Sequence, residues 1–258
     1  MPVFEIICLA NSDKRGGRCV AGLKTDGSGW LRPVSRQPGG ILQPEHYLLD
    51  IDCEPQLFDI LELDCAAHRP ECHQPENWLI QPKQWRFVGF PDLPQLNEIL
   101  KPELEKSAAL STLFGNLGDR VDYPSLQKNP TAYSLLYLKP EKVQWVVQDY
   151  IIHKKYRAIF FSNLVQYNFP ITDPIWKAQM DQAKLPEGQY SSAQIIDKLG
   201  LSDFTDDGFR FTMSLGEPFA PTGEGKQYCF KVIAAVMNTS QVIQRLTQRA
   251  GRSLPFMK

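Results

Sequence analysis

Between Asn11 and Arg36 the chain carries Lys14, Arg15, Arg18, Lys24, Arg32 and Arg36, with only Asp13 and Asp26 as acids. Cations at this density, interleaved with Gly16-Gly17 and Trp30, suit an anionic ligand. Lysine and arginine hold phosphates, paired glycines expose backbone amides, and an indole gives a stacking surface. The bland alternative is that the glycines make a plain turn, Trp30 is core and the cations are a solvated face. A second cluster, His73-Gln-Pro-Glu-Asn-Trp78, is dense in hydrogen-bonding groups and ends in an aromatic residue. His73 and Asn77 suit reading a base edge or capping a pocket; in the structural alternative Gln74 and Asn77 satisfy a turn while Trp78 plugs a core.

Other constellations point to catalysis or metal binding with low specificity. Asp207, Glu224 and Lys226 have the residue types of a metal-dependent nuclease, acids for Mg²⁺ and a lysine for the phosphate, but Glu224 and Lys226 sit among glycines in a turn, a poor base for a metal site. Cys65, His68, Cys72 and His73 have zinc-ligand chemistry yet lack Cys-x-x-Cys pairs, and adjacent ligands seldom close one tetrahedron. Cys19 beside Arg18 has no histidine assigned to it and lies in an apolar run that favours burial. His153-Lys-Lys155 reads more readily as a hairpin turn than as a phosphate contact. Neither a Gly-x-x-x-x-Gly-Lys-Ser/Thr loop nor a dinucleotide fingerprint supports nucleotide hydrolysis or NAD chemistry. The expectation is a non-enzymatic binding protein with no catalytic residue, cofactor or metal.

The elements that must hold these residues follow from periodicity. Val3 to Leu9, Gly17 to Lys24 and Trp30 to Val34 read as a three-strand meander, with Asn11 to Gly17 as a basic, turn-rich loop. Leu57 to Cys65 alternates apolar and acidic residues as a fourth strand, Ala66 to Pro82 is loop-like, and Leu93 to Leu113 spaces its leucines for one or two amphipathic helices around Pro102. A loop-like stretch from Gly115 to Lys128 places the domain boundary near mid-chain, giving domains 1–127 and 128–258. The second half restarts a β pattern at 132–138, 143–147, 156–161 and 164–171. Thr172-Asp-Pro then starts a helix that runs to about Gln182, and Ser192 to Leu199 makes another. Phe209 to Leu215 and Tyr228 to Val236 form a hairpin pair, and Ser240 to Arg249 suits a last helix. The fold class is mainly β with short helices (α+β), arranged as two small barrels or sandwiches in tandem. No repeat of fixed period links the halves, so any kinship is structural. Arg245, Arg249, Arg252 and Lys258 make a second basic element, whereas Asp197 to Glu224 is acidic and would repel a polyanion.

No apolar run approaches the roughly 20 residues that cross a bilayer, and Met-Pro-Val-Phe-Glu at the start lacks the features of an export signal. A cytoplasmic protein without a membrane partner is expected. Its six cysteines should stay reduced, with Cys8, Cys19 and Cys229 acting as small core residues. A net charge of −1 argues against tight coating of long polyanions, since non-specific affinity scales with phosphates neutralised. A short or structured ligand fits better.

Cys8-Leu-Ala-Asn-Ser, Gly17-Arg-Cys-Val-Ala-Gly, Gly29-Trp-Leu-Arg-Pro-Val-Ser, His73-Gln-Pro-Glu-Asn-Trp, Val121-Asp-Tyr-Pro-Ser-Leu, Thr172-Asp-Pro, Ser214-Leu-Gly-Glu-Pro-Phe and Lys231-Val-Ile-Ala-Ala occur in this order over nearly the full chain. On these residues the chain resembles the dual OB-domain family of prokaryotic proteins, departing from it in a longer connection from Ala220 to Gln227. The resemblance implies two tandem OB-like small β-barrels and a part in nucleic-acid transactions or bacterial defence; it carries over no catalytic residues. An OB barrel takes oligonucleotides on its strand 2 and 3 face and on the loops joining strands 1–2 and 4–5. Lys14 and Arg15 then fall in the first loop, Arg18 on strand 2, and Trp30 and Arg32 on strand 3. The expected function is binding of single-stranded nucleic acid or a nucleotide-like ligand through Lys14, Arg15, Arg18, Trp30, Arg32, His73 and Asn77. The competing readings are an adaptor that docks a partner effector and, second, the metal-dependent nuclease.

Overall fold

The structure, a computed structural model, describes residues 1–49, 53–150, 153–201 and 204–250. In its first strand, β1 (Val3–Lys14), Ile6 and Cys8 point to one side and Ile7 and Leu9 to the other, and all four are fully buried. Because side chains alternate along a strand, one buried on both faces divides two cores. β2 (Gly17–Lys24) folds back on β1 through a turn in which Arg15 and Gly16 have φ of 44° and 85°. Two positive φ values mark a type I′ hairpin, whose twist matches that of the strands. The expected basic loop from Asn11 therefore contracts to Arg15-Gly16, and Lys14 belongs to the strand.

β3 (Trp30–Val34), the short helix α1 (Pro44–Tyr47), β4 (Ile60–His68), β5 (Asn77–Ile80) and β6 (Arg86–Gly89) complete the first unit. The order β1-β2-β3-β5-β4 returns to β1, closing a barrel in which β3 and β5 run parallel. Ile6, Cys8, Val20, Leu31, Leu61 and Leu63 help fill its interior. β5 lies in a stretch that reads as loop, because four residues are too few for alternation to show.

The chain continues through α2 (Leu93–Ala109), β7 (Arg120–Asp122), α3 (Tyr123–Lys128) and β8 (Leu135–Leu138). Pro102 lies inside α2, which is a single helix. The expected boundary at 127/128 falls within α3, and β7 on its N-terminal side pairs with a strand near the C-terminus. Next come β9 (Glu141–Tyr150), β10 (His153–Ser162), β11 (Val165–Pro170), α4 (Pro174–Gln182), β12 (Gly188–Ser191), α5 (Ser192–Lys198), β13 (Phe209–Phe219), β14 (Tyr228–Asn238) and α6 (Thr239–Ala250). Arg252 and Lys258 lie outside the described residues, as do the side chains of Arg245 and Arg249. The sheet order β11-β10-β9-β12 repeats the order β3-β2-β1-β4 of the first unit. Ile171, just past β11, even bridges in parallel to Ile233 of β14, as β3 does to β5. The second unit stays a half-barrel, with β7-β14-β13-β8 as a separate sheet.

Asp173 shows why the Thr172-Asp-Pro sequence matters. Its Oδ1 caps α4 by accepting from the amides of Ile175 and Trp176, and its Oδ2 accepts from the Val236 amide of β14 at 2.9 Å. One carboxylate thus orients the helix against the sheet, although burial pushes its pKa up. Around it Trp145, Trp176, Phe209 and Phe211 pack as an aromatic core.

The units are fused through the outer face of the barrel. Ile7, Leu9, Ala21, Leu23 and Trp30 pack against Leu96 and Leu100 of α2, Leu135 and Tyr137 of β8, and Ala234, Ala235 and Met237 of β14. At the β-bulge between Cys8 and Ala10, Leu9 falls out of register with β2, and its carbonyl instead accepts from Thr212 Oγ1 of β13 at 2.6 Å. Gly22 makes room there, since a Cβ would lie 2.2 Å from the Ile7 carbonyl oxygen. Among the described residues no helix is long and apolar enough to cross a membrane. Thr212→Val, which keeps the shape but orphans the Leu9 carbonyl, should destabilise the protein by about 1–3 kcal/mol, and Thr212→Ser by much less, as read from urea unfolding midpoints.

Candidate functional site

The seam between the units is polar as well as apolar, and Glu217 stands at its centre. The β13–β14 register is irregular between Leu215 and Pro218, so Gly216-Glu217 leaves the ladder. Glu217 then reaches the first barrel, accepting from Lys14 Nζ at 2.7 Å and facing His73 Nε2 at 3.1 Å. Burial opposes its ionisation, but the His73 hydrogen bond and the Lys14 charge more than offset that and hold the carboxyl at about 2. Beside it Gln74 Nε2 donates to the Leu215 carbonyl at 2.9 Å, and Arg32 donates to Ser214 Oγ at 3.1 Å. Glu76 accepts from the Ser134 amide and hydroxyl, both at 2.6 Å.

Six of the seven residues read as ligand contacts are engaged within the fold, although Arg32 Nε and Nη1 have no partner among the described residues. Lys14 and His73 bind Glu217; Arg32 is fully buried; Asn77 is buried and donates to Gln74. Arg18 pairs with Asp13 and Glu54, and Trp30 is buried with its Nε1 donating to Glu103 at 2.8 Å. Asp13 also takes Lys177 of α4 at 2.7 Å. Two cations of the opening segment, Lys14 and Arg18, thus meet carboxylates of the same chain, one of which, Glu217, belongs to the second unit. Arg15 alone stands exposed at its turn. Moreover, the barrel face formed by β2 and β3, where an OB fold would take its ligand, is the face packed against α2, β8 and β14.

Among the described residues, the corresponding face of the second unit is exposed or half-buried except at Val146. Val143, Trp145 and Val147 of β9, Tyr156, Ala158 and Phe160 of β10, and Tyr167 and Phe169 of β11 point into the core. The alternate positions place Lys142, Gln144, Lys155, Arg157, Phe161, Gln166 and Asn168 on the outer side. Ile159 faces Gln144 on one side and Asn168 on the other, so these residues form one continuous surface. Lys155 Nζ lies 4.2 Å from the centre of the Tyr150 ring, which is 47% exposed, and Lys142 Nζ lies 5.5 Å from that of Phe161. Arg157 donates to Asn168 Oδ1 and to its carbonyl, both at 2.7 Å, which fixes the guanidinium across two strands. In the sequence His153-Lys-Lys155 reads as a hairpin turn, and among the described residues the surface has only three cations, Lys142 on β9 and Lys155 and Arg157 on β10; the alternation Lys155-x-Arg157-x-Ile159-x-Phe161 is the signal that was there to find.

The enzymatic constellations do not assemble. Asp207 and Glu224 lie at opposite ends of the β13–β14 hairpin, roughly 30 Å apart by strand rise. Glu224 pairs with Arg120 at 3.2 Å and Lys226 with Asp122 at 2.6 Å. Cys65 is buried inside the barrel with its thiol pushed up to about 12, while His68 lies outside against Trp78. Among the described residues no three His, Cys, Asp or Glu side chains converge as a metal site. All six cysteines are free thiols.

A family model described as the dual OB-containing domain matches residues 4–236. No curated protein matches the chain.

The Glu217 cluster makes stability acid-sensitive. Because its folded pKa lies below the ordinary 4.5, its contribution is complete above that pH and is lost as pH falls toward 2. Glu217→Gln should therefore cost about 3 kcal/mol at neutral pH, with the difference from the parent protein shrinking steadily as pH drops through that range in denaturant melts.

Proposed function

The chain belongs to the dual OB-containing domain family, and from that premise we propose that it is a non-enzymatic OB-fold binding module whose β9–β10–β11 face takes single-stranded nucleic acid. The observation that carries this reading is the asymmetry between the two units. The ligand face of the first barrel is occupied by protein, whereas that of the second is uncovered and combines Lys142, Lys155 and Arg157 with Tyr150 and Phe161. Phosphates neutralised by spaced cations and bases stacked on intervening aromatics are how OB folds hold single strands. Gln144, Gln166 and Asn168 add hydrogen-bonding groups on the same surface. A duplex presents no unstacked bases to such a platform. We extend the reading to a cytoplasmic protein in the defence role that the family resemblance implies, where foreign single strands are the ligand to be recognised.

Fluorescence anisotropy with 12-nucleotide single-stranded RNA, single-stranded DNA and duplex DNA tests the proposal. Single strands should bind more tightly than duplex, with log affinity falling against log salt at a slope of about −2, the value for three cations at about −0.7 each. Lys155→Glu combined with Arg157→Glu should remove most of the binding, while Arg15→Glu should leave it nearly intact. An absence of binding to any of the three at low salt refutes the reading and favours a protein partner.

A further inference from the structure

A cleft at the seam plays no part in the strand-binding face. It is about 180 Å³ in volume and lies where the loop after β3 meets β5 and Glu217. Val34 and Pro38 give it apolar walls, Asn77 and Glu217 its polar floor, and Arg36 and Arg69 stand exposed at its mouth together with one carboxylate, Glu71. Gly39 and Gly40 have φ of 68° and 64°, and a Cβ on Gly40 would lie 2.8 Å from Val34 Cβ. The loop is thus seated in a geometry that other residues would strain, so the cleft is preformed.

Two features of the cleft lack an internal explanation. Gln74 spends its Nε2 on the Leu215 carbonyl, which turns its Oε1 toward Asn77 Nδ2 at 3.3 Å. Asn77 Oδ1 is thereby fixed as an acceptor; the residue is 5% exposed, and that oxygen has no partner among the described residues. Buried carbonyl oxygens in native proteins are normally satisfied. At the mouth, Arg36 and Arg69 form no ion pair among the described residues, although nearby Lys14, Arg18 and Lys177 each hold a carboxylate. An acceptor in the floor and two unpaired guanidiniums at the rim call for a ligand with an N–H donor at one end and an anion at the other. The volume is below the ~300–1,000 Å³ of drug-sized sites, so it admits a flat nucleobase-sized group and leaves the rest of such a ligand at the mouth.

We propose that this cleft binds a nucleoside monophosphate, its base between Val34 and Pro38 with an N–H donated to Asn77 Oδ1, and its phosphate on Arg36 and Arg69. This site is separate from the strand-binding face and uses none of its residues.

Isothermal titration calorimetry of the full chain with AMP, GMP, CMP, UMP, ribose 5-phosphate and inorganic phosphate tests it. At least one nucleotide should bind saturably at a single site, with ribose 5-phosphate and phosphate about tenfold weaker or more, as expected for losing a buried hydrogen bond. Arg36→Gln with Arg69→Gln should weaken the nucleotide about tenfold or more without moving the thermal unfolding midpoint, since neither arginine has a side-chain partner to lose among the described residues. The two single variants, each keeping one arginine, should fall between. Lys155→Glu with Arg157→Glu should leave nucleotide affinity unchanged, which separates this site from the strand-binding face. The proposal is overturned if no nucleotide binds saturably at millimolar concentration, if phosphate alone binds as tightly as the nucleotides, or if the arginine variants bind like the parent protein.

Discussion

Everything in this molecule depends on β1 being buried on both faces. Ile6 and Cys8 belong to the barrel interior, while Ile7 and Leu9 belong to a second core built with α2, β8, β14 and α6. An OB barrel ordinarily leaves one outer face to solvent or ligand. Here that face carries large apolar side chains, and exposing them would cost about 25 cal/mol per Å² of apolar surface, so the second unit has to cover them. The two units are consequently one folded object despite their repeated strand order, and residues close in sequence to the barrel serve contacts across the seam.

The electrostatics follow from that fusion. Charges drawn into a low-dielectric seam need partners there, because an unpaired buried ion is far more costly than a paired one. Lys14, His73 and Glu217 satisfy one another, and the Leu215–Pro218 irregularity in β13 is what brings the carboxylate to them. Lys231 meets the same demand differently. Fully buried, it donates to the Leu113 carbonyl and to both oxygens of Asn116 at 2.7–2.9 Å, and burial draws its pKa down to about 8. Basic side chains such as Lys14 and Lys231 therefore serve as ties within the fold.

Two units with the same strand order have diverged in the use of that order. The first has closed its barrel and given its outer face to the partner unit; the second has stayed a half-barrel and kept its outer face free. The seam between them leaves a small polar cleft with an acceptor, Asn77 Oδ1, that has no partner among the described residues. Rigid scaffolding on one side and open surface on the other is a division of labour that a single barrel could not provide.

Much of the local structure was legible in the sequence. β2 and β3 stand where alternation put them, α4 begins at the Asp173-Pro174 signal, and the ordered motifs from Cys8 to Lys231 placed the chain in its family, whose model spans residues 4–236. The short strands β5, β6, β7 and β12 were not legible, because three or four residues carry too little periodicity and are held by pairing with distant strands. The destination of the charges was not legible either. Composition located the cations of the opening segment, but Glu217 lies about two hundred residues from Lys14, and only the packing of β13 against the first barrel brings them together. The sequence by itself determined the longer strands, the starts of the longer helices and the family. The tertiary structure decided which face of which barrel is free, because side-chain exposure depends on what a distant segment buries and not on the residue's own chemistry.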